Sequence, residues 1–218
     1  MRLYAICNYR GNSETWTEKW ESSHYTARNL VKAVKGLPFN GHSIVTQGGS
    51  EYRVENTAAG RAAALHVSSR SIAKAIVDAG YEDVAIIPIP SSTCTDPALQ
   101  YTGAKLADAI AALVPGFVAR PVLYFAKELL KSSAGGGRNE EAIKANLRST
   151  SLAGINAAVL IDDVYTTGAH SRAAARYLRQ HGIDISDIFV IGRTVHEKPD
   201  KMLNPPSECV PDGGGLFD

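Results

Sequence analysis

The sequence predicts an α/β fold in which a parallel sheet is flanked by helices. Short apolar runs alternate with segments of helical periodicity through the middle of the 218-residue chain. The apolar runs are unbroken, which is typical of strands that are buried on both faces. Strands separated by helices pair in parallel through right-handed crossovers. Because ligands of such sheets bind beyond the carboxyl ends of the strands, the loops that follow the strands are where chemistry is expected.

The composition is that of a folded chain. Hydrophobic residues make up 44% and charged residues 21% of the sequence, and the formal net charge is +1. These values exclude a disordered chain and do not indicate direct binding of nucleic acid. The three cysteines are scattered and form no CxxC pair, which excludes a zinc ribbon. The apolar runs are too short to span a membrane and there is no signal-peptide pattern, so we expect a soluble cytoplasmic protein with no membrane partner.

The N-terminal segment differs from the rest of the chain in being rich in Tyr, Trp, Asn, Ser and His. We expect a strand over residues 3–7, a helix over 25–34, and a hairpin whose strands are 43–46 and 51–54. This segment matches no functional pattern, and we interpret residues 1–56 as an N-terminal extension or hood.

Residues 57–197 form the predicted core. Pro88 and Pro90 end its first strand, and three glycines at 135–137 resist regular structure and predict a mobile loop. Residues 198–218 form a C-terminal tail with four prolines, which we expect to be irregular. The predicted elements of the core are, in chain order, a helix over 62–79, a strand over 84–89, a helix over 99–113, a strand over 118–126, a short helix over 140–147, a strand over 157–161, a helix over 170–181 and a strand over 188–191.

The strand over 157–161 is followed by a turn that is typical of a phosphate site. The turn has the sequence TTGA and leads straight into the next predicted helix. Backbone N–H groups in such a turn and at a helix N-terminus attract anions. Thr166 and Thr167 can donate hydroxyl hydrogen bonds, Gly168 lets a phosphate approach the backbone closely, and Ala169 starts the helix.

Two adjacent carboxylates, Asp162 and Asp163, lie between this strand and the turn. Their oxygens can accept hydrogen bonds from two vicinal hydroxyl groups. A ligand with a phosphate at one end and a diol at the other would satisfy both features, and ribose 5-phosphate has that form. The alternative is a buried strand followed by an ordinary capped helix, but side-by-side carboxylates are not needed for packing.

The stretch VLIDDVYTTGAH, residues 159–170, resembles the phosphoribosyl-pyrophosphate (PRPP) signature of type I phosphoribosyltransferases. The resemblance implies a type I phosphoribosyltransferase-like sheet, with the N-terminal segment as its hood. It also implies that Asp162 and Asp163 bind the ribose hydroxyls and that residues 166–169 hold the 5-phosphate. In detail the chain is most similar to competence protein F-like and amidophosphoribosyltransferase-type modules, although the cysteine-rich zinc segment usual in the former is missing.

The turn after the first core strand has a sequence that agrees with this resemblance. Residues 87–94 read IPIPSSTC, and in the family the corresponding turn binds pyrophosphate. The resemblance therefore implies a pyrophosphate site made by Pro90, Ser91, Ser92 and Thr93. Taken alone, a Pro-Ser loop is usually only a turn.

The segment 120–148 carries six cations against three acids and resembles the family's flexible catalytic loop in position. Cations that meet a departing pyrophosphate in the transition state lower the barrier, and a glycine-rich loop can close over a site. Lys127 and Arg138 are the leading catalytic candidates. An ordinary solvated surface loop is the alternative for each of them.

The resemblance implies a glycosyltransferase-class enzyme, a PRPP-dependent phosphoribosyltransferase. It would transfer 5-phosphoribosyl from PRPP to an unidentified nitrogen nucleophile and release pyrophosphate. Mg²⁺ is the implied cofactor, bound mainly through PRPP. The alternative is a non-catalytic sensor or adaptor that binds PRPP or a nucleotide in a regulatory, DNA-processing or defence role. The expected partners are PRPP and the nucleophile, and a homodimer is left open.

Overall fold

The computed structural model describes residues 1–10, 19–129 and 139–211. No helix among these residues is long and apolar enough to cross a membrane. Their helices and strands are, in chain order, β1 (Arg2–Arg10), α1 (Ser22–Val34), β2 (His42–Gln47), β3 (Ser50–Glu55), α2 (Ala58–Asp78), β4 (Val84–Pro88), α3 (Thr102–Ala111), β5 (Phe117–Ala119), β6 (Leu123–Phe125), α4 (Glu140–Asn146), β7 (Leu147–Ser149), β8 (Ala157–Tyr165), α5 (Ala169–Gln180), β9 (Asp184–Val195) and β10 (Glu208–Cys209).

Within the described residues, a six-stranded sheet forms the centre of the fold, with the strand order β10-β1-β9-β8-β4-β5. Its pairings are parallel except for that of β10 with β1. The predicted α/β fold is confirmed, with the correction that one edge of the sheet is antiparallel. Two antiparallel pairs lie outside this sheet, namely the predicted hairpin β2–β3 and the pair β6–β7.

The prediction of one strand over residues 118–126 is wrong. The chain forms β5, which pairs with β4, and then β6, which pairs with β7 instead. Arg120 still donates its N–H to the carbonyl of Ile86 at 2.8 Å. The next residue is Pro121, which has no backbone N–H to donate, and the chain leaves the central sheet at this point.

Strand β8 is buried on both faces, as its unbroken apolar run predicts. Val159 and Ile161 pack in the core that lies against α1, α2 and α3, whereas Ala158 and Leu160 pack in the core that lies against α4 and α5. Side chains alternate between the two faces of a strand. Adjacent residues near the end of β8 are therefore directed towards opposite helical layers.

The N-terminal segment takes part in the central sheet. Strand β1 lies between β9 and β10, and α1 buries Ala27 and Leu30 in the same core as α2 and α3. The boundary at residue 56 stays a prediction. The structure does show that the first strand of the chain belongs to the same sheet as β4, β5, β8 and β9.

The C-terminal tail runs along the outer side of β1. Besides the pairing of β10, the N–H of Asn8 donates to the carbonyl of Met202, and the N–H of Asn204 donates to the carbonyl of Ile6, each at 2.7 Å. The rest of the described tail is irregular, as its prolines predict.

Helix α1 approaches the sheet closely because a glycine lies beneath it. Gly192 of β9 is a neighbour of Val164 in β8 and of Cys7 in β1. A Cβ at Gly192 would lie 2.9 Å from Cγ2 of Val31 in α1 and 3.1 Å from Cβ of Tyr9. The absence of a side chain at this position thus sets how near α1 lies to the ends of β8 and β9.

We expect Gly192→Ala to lower the free energy of unfolding by about 1–3 kcal/mol, because the added methyl group overpacks against Val31. Urea-induced unfolding followed by circular dichroism measures the change. Val31→Ala removes the opposing methyl groups, so the double variant should lose less stability than the sum of the two single losses. Additive losses would show that this contact does not require a glycine.

Candidate active site

A cavity of about 720 Å³ opens at the carboxyl ends of β4 and β8. This volume is in the range of small-molecule sites. The lining comes from the N-terminal segment, from the turn after β4 with the start of α3, from the end of β8 with the first turn of α5, and from Thr194 of β9. Six of the predicted site residues line it: Pro90, Ser91, Ser92, Asp162, Asp163 and Thr166. The structure thus brings the predicted ribose and pyrophosphate residues together.

The carboxylate pair is held by two hydrogen bonds. Oδ1 of Asp163 accepts from Nζ of Lys35 at 2.8 Å, and Oδ1 of Asp162 accepts from the backbone N–H of Asp163 at 2.7 Å. Asp163 thereby reaches towards α1, on the face of the sheet that holds Val159 and Ile161. Both side chains line the cavity, so a single ligand can meet the two carboxylates.

Asp162 is a carboxyl group whose ionisation is disfavoured. Burial, followed by the neighbouring Asp163 carboxylate, raises the pKa of Asp162 well above its ordinary value of 3.8. The N–H of Asp163 and the ammonium of Lys35 act in the opposite direction without cancelling the rise. Strongly shifted pKa values are concentrated at functional sites, so the raised pKa of Asp162 supports a binding role for this residue.

The turn after β8 has a left-handed residue at the start of α5. Gly168 has φ 76° and ψ 4° and is the N-cap of the helix. A Cβ at this position would overlap the hydroxyl of Tyr165 and lie 2.8 Å from Nη1 of Arg172. The turn therefore requires glycine for its own packing, whether or not a phosphate approaches it. Gly168 and Ala169 are buried, and neither lines the cavity.

The two threonines of the turn differ in position. Both are exposed. Thr166 lines the cavity, whereas Thr167 does not. The carbonyl of Thr167 accepts a hydrogen bond from Nη1 of Arg172 at 2.8 Å, which ties the turn back onto α5.

Arg172 belongs to an ion-pair network that joins α4 to α5. Its Nε lies 2.8 Å from Oε2 of Glu140, and Nη1 of Arg176 lies 3.1 Å from Oε1 of the same residue. Arg176 also contacts Glu141 at 2.6 Å. The network connects the end of the basic segment with the predicted phosphate turn. Sequence reasoning missed it because no local pattern pairs residues 32 positions apart.

The predicted pyrophosphate turn is held by backbone hydrogen bonds. The N–H of Cys94 donates to the carbonyl of Ser91, and the N–H of Leu129 donates to the carbonyl of Ser92, both at 2.8 Å. Thr93 is exposed with its Oγ1 3.5 Å from Oγ of Ser91, but it does not line the cavity. Ser91 and Ser92 are thus the hydroxyl donors of this turn at the cavity.

The structure does not bring Lys127 to the cavity. Its side chain is exposed, and its carbonyl accepts from Nδ2 of Asn146 at 2.7 Å. Arg138 lies outside the described residues. Two other lysines line the cavity, namely Lys35 at the end of α1 and Lys105 in the first turn of α3, and no sequence motif indicated either of them.

His170, the second residue of α5, also lines the cavity. Its ring lies edge-on to Phe125, with centroids 6.1 Å apart. Nε2 is buried and has no hydrogen-bond partner among the described residues, and burial lowers the pKa of the imidazole. Burial thus favours the neutral form of this ring beside the predicted phosphate turn. The described residues hold no cluster of three or more His, Cys, Asp or Glu side chains that could bind a metal.

Comparisons with known proteins find weak similarities to solved structures. No protein-family model matches the sequence, and no curated protein matches it. The chain resembles the solved structure of Leishmania donovani UMP synthase at 20% identity and a TM-score of 0.42, over 80% of this chain and 32% of that one. It thus spans about a third of the length of UMP synthase.

Two adenine phosphoribosyltransferase structures are also similar. The enzyme from Saccharomyces cerevisiae matches at 14% identity and a TM-score of 0.42, over 78% of this chain and 88% of that one. The enzyme from Rhodothermus marinus matches at 14% identity and a TM-score of 0.41, over 76% and 98%. These similarities concern the fold, and the functional proposal rests on the residues that line the cavity.

We expect Asp162→Asn to stabilise the protein at neutral pH by about 1–2 kcal/mol, because it removes a disfavoured charge and keeps the acceptor oxygen. The pKa of Asp162 in the folded protein lies above the ordinary 3.8, so ionisation costs stability as the pH rises above that value. The advantage of the variant should therefore vanish below about pH 4. Thermal unfolding at about pH 3.5 and about pH 7.5 measures it.

Asp163→Asn is the matched control for this experiment, since it breaks the contact with Lys35 and should not stabilise the protein. An advantage of Asp162→Asn that is the same at both pH values would show that its cause is not the charge.

Proposed function

We propose that the chain binds PRPP and transfers its 5-phosphoribosyl group to a nitrogen nucleophile, with release of pyrophosphate. One observation carries the proposal. The pair Asp162–Asp163 lies near the end of β8, and the left-handed turn at Gly168 follows this strand, beside a cavity large enough for the ligand. Together they match a diol joined to a phosphate.

The ribose phosphate would be held from two directions. The oxygens of Asp162 and Asp163 would accept the 2′- and 3′-hydroxyl hydrogens. The N–H groups of residues 166–169 and the positive end of the α5 dipole would hold the 5-phosphate. Thr166 would add a hydroxyl donor from the cavity surface.

The pyrophosphate would lie towards β4 and α3. Ser91 and Ser92 offer hydroxyl groups there, and Lys105 offers a positive charge. Interactions that strengthen as charge moves onto the leaving oxygen would lower the barrier. The catalytic roles of Lys127 and Arg138 stay predictions.

The reaction is a substitution at the anomeric carbon. The bond from this carbon to the pyrophosphate oxygen breaks with its electron pair leaving on pyrophosphate, and a bond to the acceptor nitrogen forms with loss of a proton from that nitrogen. By accepting the ribose hydroxyl hydrogens, Asp162 and Asp163 would orient the anomeric carbon between the nucleophile and the leaving group. Mg²⁺ prefers oxygen ligands, which Asp162, Asp163 and the phosphates of PRPP would offer. A bound Mg²⁺ would neutralise part of the charge of the leaving group.

The double variant Asp162→Asn/Asp163→Asn tests the proposal. We expect it to stay folded and to bind PRPP at least about tenfold more weakly than the parent, because the ribose acceptors are weakened. Titration calorimetry with PRPP measures the affinity, and thermal unfolding confirms the fold. Unchanged affinity would refute the ribose site. Assays of pyrophosphate release with a panel of nitrogen bases then separate turnover from a binding-only sensor.

Ribose 5-phosphate is a probe of the turn without the pyrophosphate region. We expect Gly168→Val to weaken its binding most, since the side chain overlaps Tyr165 and forces φ 76° on a β-branched residue. Thr167→Ala should weaken binding less, because Thr167 does not line the cavity, and Tyr165→Phe should weaken it least. Calorimetric titration gives the order. Parent-like binding by folded Gly168→Val would show that the phosphate does not lie at this turn.

A further inference from the structure

We propose that Lys35, at the end of α1, is a positioning residue that neutralises Asp163 and thereby makes the carboxylate pair able to receive an anionic sugar phosphate. The inference rests on the proposed function, since it concerns how the same site takes its ligand. It assigns a role in the site to the N-terminal segment, which carries no recognisable motif.

The contact is the principal reason for the proposal. Nζ of Lys35 lies 2.8 Å from Oδ1 of Asp163, and their side chains are 32% and 19% exposed. The pair is thus partly shielded from water. Opposite charges in such a setting attract each other more strongly than they do on an open surface. It joins residues 128 positions apart and crosses from the N-terminal helix to the central strand.

The backbone around Lys35 is fixed by the way α1 ends. Gly36 has a left-handed φ of 69°, the N–H of Gly36 donates to Ala33 at 3.1 Å, and the N–H of Leu37 donates to Lys32 at 2.8 Å. These bonds are typical of a glycine-terminated helix. Together with the close approach of α1 at Gly192, they hold the Lys35 backbone beside the end of β8.

The charges at the cavity explain why such a residue is needed. The charged side chains that line it, among the described residues, are Lys35, Lys105, Asp162 and Asp163. Ribose 5-phosphate and PRPP are anions, so an uncompensated carboxylate at Asp163 would repel them. Lys35 cancels the charge of Asp163.

Asp163 can keep Lys35 and still bind the sugar. A carboxylate has about four lone-pair sites, of which the ammonium uses one. The remaining sites can accept ribose hydroxyl groups, so the ligand does not have to displace Lys35. The ion pair is therefore a standing part of the site.

Calorimetric titration with ribose 5-phosphate tests the role of Lys35 in four proteins. We expect Lys35→Met to weaken binding about fivefold, whereas Lys35→Arg keeps the charge and should stay within about twofold of the parent. Lys32→Met is the matched control, because it removes the same charge from the same helix at a residue whose Nζ donates to the carbonyl of Pro38. It should bind like the parent.

A double-mutant cycle separates positioning of Asp163 from a general loss of stability. In an Asp163→Asn background, Lys35→Met should weaken binding by less than about twofold, since the charge to be neutralised is gone. An equal loss in both backgrounds would overturn the inference. So would unchanged or tighter binding by Lys35→Met, the latter showing that the ion pair obstructs the ligand. Failure of the parent itself to bind ribose 5-phosphate would instead overturn the proposed function, and this inference with it.

Discussion

The site depends on one constraint, which is the adjacency of two carboxylates near the end of a strand that is buried on both faces. Strand alternation directs Asp162 and Asp163 to opposite layers of the fold, so each layer must provide for one of them. Asp163 finds the ammonium of Lys35 on the α1 side. Asp162 accepts a hydrogen bond from the backbone N–H of Asp163, and burial disfavours its charge. The two carboxyl groups therefore differ: Lys35 neutralises the charge of Asp163, whereas burial disfavours the charge of Asp162.

The surrounding elements are arranged to serve that strand end. Gly192 permits α1 to approach β8 and β9, and Gly36 ends α1 where Lys35 meets Asp163. On the other side, Tyr165 packs over Gly168, and Arg172 links the turn to Glu140 of α4. Packing contacts and charged contacts from distant parts of the chain therefore converge on one connection of a few residues. This convergence of supporting contacts is typical of a pre-organised binding site.

The parts of the structure that depend on nearby residues could be predicted from the sequence. The unbroken run before Asp162, the TTGA turn and the helical spacing of α2 are local signals, and they led to the fold and to Asp162, Asp163 and Thr166 at the cavity. The contact of Lys35 with Asp163 and that of Glu140 with Arg172 depend on how separate elements pack. The split between β5 and β6 follows from the single missing N–H of Pro121, which hydrophobic periodicity does not register. The turn at Ser91 and Ser92 was selected by resemblance, and the packing of β4 beside β8 brings it to the carboxylates.

The pairing of the tail with β1 has a consequence for self-association. Without it, the N–H and C=O groups on the outer side of β1 would be open to a strand from another molecule, which is a common route to aggregation. The backbone bonds at Met202 and Asn204 and the short strand β10 occupy that side. At the opposite edge, β5 has three residues and offers little length for an incoming strand. The tail therefore covers the longer edge of the sheet. A chain cut before Met202 would expose β1 to pairing with strands of other molecules.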